Sequence, residues 1–102
     1  MTDPIKAITG RIRRRCGSLA DLSLEQGISD PWQSLLFDGG RHHIALRLDG
    51  ERIDEAIVAL QDEVGVPDFV IPGHLVAEIS VAAIDRCADH ALIKLDAVTI
   101  RN

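Results

Sequence analysis

The hydrophobic period of this sequence changes at Asp38-Gly39-Gly40. Ahead of the glycines, apolar residues recur at three- and four-residue intervals. Beyond them the first apolar run alternates, with Ile44, Leu46 and Leu48 on one side and His43, Ala45 and Arg47 on the other. Helical stripes joined to alternating strands must be buried on a sheet, so an α+β fold is expected. The chain has 102 residues, about one ordinary domain. Residues 1–102 are therefore expected to form a single domain, with a helical N-terminal segment (1–38) and a β-α-β-β core (41–101).

In the N-terminal segment, Asp3-Pro4 gives a helix cap followed by proline at the first helical position. Ile5, Ile8 and Ile12 follow at helical spacing, and Cys16 and Leu19 continue the stripe. Lys6, Arg13 and Arg14 fall away from it, so residues 4–15 read as a basic amphipathic helix with Gly17 as its stop. Ser18 predicts the cap of a second short helix, with Leu19 and Leu22 inward and Gly27 at its end. Asp30-Pro31 repeats the cap-and-proline signal ahead of Trp32, Leu35 and Leu36, which predicts a third short helix.

The core begins with a half-buried strand over 41–48 and a turn at Asp49-Gly50. Ile53, Ala56, Ile57, Leu60 and Val64 then predict a helix that stops at Gly65, with Pro67 beyond. Phe69, Val70 and Ile71, between Pro67 and Pro72, read as a buried extended connection or an edge strand. A long strand over 74–84, a polar turn over 85–90 and a strand over 91–100 complete the chain. The last strand changes phase: Ile93 and Leu95 share one parity, Val98 and Ile100 the other. Either a bulge near Asp96 resets it, or its two halves bury opposite faces, the second against another subunit.

A strand, a helix and a hairpin make a split β-α-β-β unit. This order resembles half of a ferredoxin-like domain. It implies a three-stranded, mainly antiparallel sheet with the first two strands parallel and the third between them. The central helix would cover one face and the N-terminal helices the other. Two edges would stay open, which predicts completion by oligomerisation. Phe69, Ile71, Val98 and Ile100 are the expected interface residues.

The net charge of -5 is a sum of unlike parts. Residues 1–16 hold Lys6, Arg11, Arg13, Arg14 and Arg15 against Asp3, so 5 - 1 = +4, and the remainder carries 6 - 15 = -9. A wholly basic binding surface is excluded, whereas a basic arm is not. Arg11, Arg13, Arg14 and Arg15 are the expected phosphate- or partner-binding residues, because guanidinium groups grip phosphate in a fork. Nucleic acid or an anionic membrane surface could meet residues 11–15; pairing with the acidic body is the other reading. With Trp32, Phe37 and Phe69 as the aromatics, a base-stacking platform is not expected. No apolar run approaches the roughly 20 residues of a membrane-spanning helix. Nothing at the N-terminus resembles a secretory signal, so a cytoplasmic location is expected.

No catalytic constellation stands out in the linear sequence. Cys16 follows three arginines but has no signalled base, and Cys87 could equally be a disulfide partner or a free thiol. Cys87 and His90 offer only two zinc ligands, and adjacent His42 and His43 face opposite sides of a strand. Glu51, Asp54, Glu55, Asp62 and Glu63 read as a solvated helix face or a docking surface. No metal or cofactor is expected. The leading expectation is a non-enzymatic, homo-oligomeric protein that acts through protein–protein contacts. One alternative is a nucleic-acid-associated regulator using Arg11–Arg15. Another is a small-ligand or enzymatic site at a subunit interface, with His43, His74 or His90 beside Asp85, Cys87 or Asp89.

Overall fold

A computed structural model describes residues 3–66 and 69–101; Pro67, the expected stop after the central helix, lies outside them. The order is α1 (Pro4–Cys16), β1 (Asp21–Gln33), β2 (Asp38–Asp49), α2 (Ile53–Val64), β3 (Val70–Ile71), β4 (His74–Arg86) and β5 (His90–Arg101). The strands form one antiparallel sheet in the order β1-β2-β5-β4-β3. Strands of 12 or 13 residues stretch the molecule to 47 × 21 × 21 Å.

Both helices form where the periodicity places them. Asp3 caps α1, its Oδ1 accepting from the Ile5 amide at 3.0 Å, and Ile5, Ile8, Thr9, Ile12 and Cys16 are buried along one stripe. In α2 the buried stripe is Ile53, Ala56, Ala59, Leu60 and Val64. Both stripes enter one core cluster with Ile44, Leu46 and Leu48 of β2 and Ile93, Leu95 and Ala97 of β5.

The stretch 18–36 departs most from its sequence signals. Instead of two short helices, it is the long edge strand β1, paired with β2 from Asp21↔Asp49 to Gln33↔Asp38. Isolated helices this short are marginal in water, whereas the ladder with β2 satisfies the backbone along its whole length. Pro31 is tolerated because β1 has a free edge. Gly27, expected as a helix stop, lies where α1 crosses the strand: a Cβ there would sit 3.0 Å from two Ile5 side-chain atoms. Ser34 to Phe37 is a hairpin turn, closed by the Ser34 amide donating to the Phe37 carbonyl at 2.8 Å.

Five strands therefore replace the expected three. β2 and β4 are both antiparallel to β5, which lies between them. The helices do not divide between the two faces; both pack on one face, and among the described residues the other carries no element. The phase change in β5 is resolved without a bulge, because Ala91 through Thr99 keep one parity toward the helices. Val98 and Ile100 point to the uncovered face, half-buried. The bulges lie in β4 instead, between Val76 and Glu78 and between Val81 and Ala83. They turn Val76, Ile79, Val81 and Ile84 toward the helices, a set that strict alternation would split.

Candidate functional site: an uncovered sheet face and a histidine cavity

Cross-strand partners share a face, so the register gives the rows of the uncovered side. At one end, Trp32, Gly39, Ile100, Leu75 and Val70 form an apolar row across all five strands. Val98 lies behind it. Val70 is 69% exposed and Leu75 56%. At the same end of the hairpin, Leu35, Leu36 and Phe37 project at 101%, 81% and 52% exposure. Trp32 lies over Gly39, where a Cβ would meet its ring at 2.9 Å. Farther along, charges alternate: Asp30, Arg41 and Glu78 share a row, and His43 Nδ1 lies 2.8 Å from Asp96 Oδ1 in the next.

Of the expected interface residues, Val98 and Ile100 belong to this face, whereas Phe69 and Ile71 are buried under α1 and α2, at 5% and 3% exposure. Phe69 is held by Arg11, whose guanidinium carbon lies 4.1 Å from the ring centroid.

The arginine cluster meets the acidic body of its own chain. Arg11 Nε is 2.6 Å from Glu63 Oε1, and its terminal nitrogen donates to the Val70 carbonyl at 3.2 Å. Arg15 lies 3.8 Å from the other Glu63 oxygen, and Arg13 donates to the Leu22 carbonyl at 3.3 Å. Arg14 is exposed and makes no ion pair among the described residues.

The histidines do not gather as one group. His43 is on the uncovered face, and His90 sits at the β4–β5 turn, 2.7 Å from Asp89. Cys87 closes that turn, its amide donating to the His90 carbonyl at 2.9 Å. Cys16 and Cys87 are both free thiols, and no group of three metal-ligating side chains occurs among the described residues. Burial pushes the Cys16 thiol up, against the pull of Arg15, so the neutral form is favoured.

His74 instead lines a cavity of about 380 Å³ on the helix side, with His42, Ser29, Thr99, Arg101 and the start of α1 at Asp3-Pro4. His42 is 3% exposed. Its Nδ1 is 2.7 Å from Ser29 Oγ and its Nε2 2.8 Å from Thr99 Oγ1. The ring fits because residue 40 is glycine: a Cβ there would lie 2.9 Å from it. Ser29 and Thr99 carry no local signal, since the register joins residues 13 and 57 positions from His42. The one clue was parity, which puts His42 with Ile44 and Leu46 on the core side.

Burial lowers the His42 pKa from its ordinary 6.5, and His74 and then His43 add to this; Asp3 opposes it. The unfolded chain therefore takes up a proton that folded His42 refuses. The stability that neutral His42 contributes is complete above about pH 6.5 and is lost as the pH drops below it. The urea midpoint is expected to be lower at pH 5.5 than at pH 7.5, with a smaller drop in His42→Gln.

No helix among the described residues is long and apolar enough to cross a membrane. Comparison with protein-family models, with curated proteins and with solved structures finds no match to this chain.

Proposed function

We propose that the working form of this protein is a homodimer in which two copies meet through their uncovered sheet faces, and that it acts through protein–protein contacts. The apolar row from Trp32 to Val70, continued by Leu35, Leu36 and Phe37, is the observation that carries this reading. Contiguous exposed apolar surface of this kind marks a contact site.

A second copy suits the face in area. Four strands of 12 or 13 residues, at about 3.3 Å per residue and 4.8 Å apart, span about 750 Å². A standard interface takes about 800 Å² from each partner. The face carries Asp21, Asp30, Asp49, Glu78, Asp85 and Asp96 against Arg41, Arg47 and Lys94, so acids outnumber bases on it, with both signs present in neighbouring rows. Mixed signs in adjacent rows can be self-complementary under a two-fold rotation. Edge-to-edge pairing is disfavoured, since β1 is interrupted by a bulge after Leu24 and by Pro31, and β4 by two bulges.

Light scattering on the full chain is expected to give about twice the 11.1 kDa chain mass. Leu75→Glu should return the mass to that of one chain with an unchanged circular-dichroism spectrum, because Leu75 contributes nothing to the core. A wild-type monomer at about 100 µM, a concentration well above the Kd of a stable dimer, would overturn the proposal.

A further inference from the structure

The helix-side cavity contains a hydrogen-bonded chain that face-to-face association leaves unused. Ser29 is exposed at its rim, His42 is buried behind Ser29, and Thr99 is buried behind His42. A hydroxyl within reach of an imidazole that is itself oriented by a third group is the arrangement of an activated nucleophile. We propose that Ser29 accepts acyl groups from small, uncharged esters, with His42 as its general base and Thr99 as the residue that positions the ring.

The chemistry follows from the contacts. With Nε2 protonated and donating to Thr99 Oγ1, Nδ1 is left to accept the Ser29 hydroxyl. Burial in the cavity wall keeps the ring neutral at neutral pH, the form a base needs. Ser29 Oγ attacks the ester carbonyl carbon as its proton passes to Nδ1. The tetrahedral intermediate then breaks its bond to the alkoxide, which takes that proton. A water molecule, deprotonated by the same Nδ1, attacks the acyl-serine carbonyl; the bond to Ser29 Oγ then breaks, Oγ takes the proton back from Nδ1, and a carboxylic acid leaves. Arg101 lines the same cavity and is the cation at hand for the developing oxyanion. The cavity volume suits an acyl group of a few carbons, and Pro4, Pro31 and Gly39 give it apolar wall.

The test is covalent labelling of the full chain with a fluorophosphonate probe, read by intact mass and peptide mapping, alongside hydrolysis of p-nitrophenyl acetate. One adduct on Ser29 is expected, and none in Ser29→Ala, which changes only a rim side chain. His42→Gln should slow labelling about 100-fold, as expected for loss of a general base. Thr99→Val should also slow it, and Thr99→Ser should restore it. No adduct, or an adduct on another residue, overturns the proposal. Labelling of Ser29 at an unchanged rate in folded His42→Gln overturns the role of His42. If His42→Gln does not fold, the wild-type and Ser29→Ala comparison still decides whether Ser29 is the nucleophile.

Discussion

Replacing Leu46 by alanine is expected to lower stability by about 2–5 kcal/mol, the usual cost of emptying a fully buried leucine site. Leu46 has no exposed surface. It stands on the inner strand β2, with Leu24 opposite on β1 and Ile93 on β5. It also belongs to the cluster formed by the buried stripes of both helices. Few neighbours there can move inward, because the strands on either side are tied by ladder hydrogen bonds. A domain of this size is stable by about 5–15 kcal/mol, so the variant should lose a large fraction of its stability. Urea denaturation should show a lower midpoint at an unchanged slope. Leu24→Ala, on the same face at the exposed edge, should lose much less. Equal losses at the two positions would mean that the core is not centred between β2 and β5.

Gly39→Ala is the second large effect. A Cβ at residue 39 would fall 2.0 Å from the Thr99 carbonyl oxygen and 2.9 Å from the Trp32 ring. Trp32 could rotate away, but the Thr99 carbonyl is main chain and can move only by opening the β2–β5 ladder. Overpacking of this kind costs about 1–3 kcal/mol or more. Since Trp32 is the sole tryptophan, its fluorescence reports the displacement directly. The same shift would move Thr99, whose hydroxyl holds His42. The expected result is a changed emission maximum together with a lower urea midpoint. Unchanged emission and stability would mean that the ring does not lie over residue 39.

Much of the architecture was legible because several segments repeat one period for long enough. The isoleucines of α1, the stripe of α2 and the alternation of β2 each specify one buried side. Residues 18–36 were not legible for the opposite reason. Leu22 and Leu24 alternate only once before the bulge, and Asp30-Pro31 is a sound helix-start signal taken alone. Pairing with β2 outweighs it, and local propensity cannot register a long-range ladder. β4 was illegible for a different reason, its bulges. Two extra residues in β4 shift its parity twice, so Val76, Ile79, Val81 and Ile84, which strict alternation would divide between faces, come together under the helices. The charge asymmetry was legible and its destination was not: Arg11 and Arg15 converge on Glu63, a residue 52 positions away from Arg11. The cavity was the least legible part. Ser29, His42 and Thr99 meet only because three strands are in register.

The strand order has one more consequence. Each half of the chain runs helix, strand, strand: α1-β1-β2, then α2-β4-β5 with β3 as a short addition. The inner strands β2 and β5 lie side by side and antiparallel, with Ile44 opposite Leu95 midway along the ladder. A half-turn about that midpoint exchanges one half for the other, approximately. The protein is thus built as a tethered pair. Residues 50–52, the link between β2 and α2, turn the meeting of two units into an intramolecular event. A short tether sets an effective concentration of about millimolar order, so this central seam closes independently of how dilute the protein is.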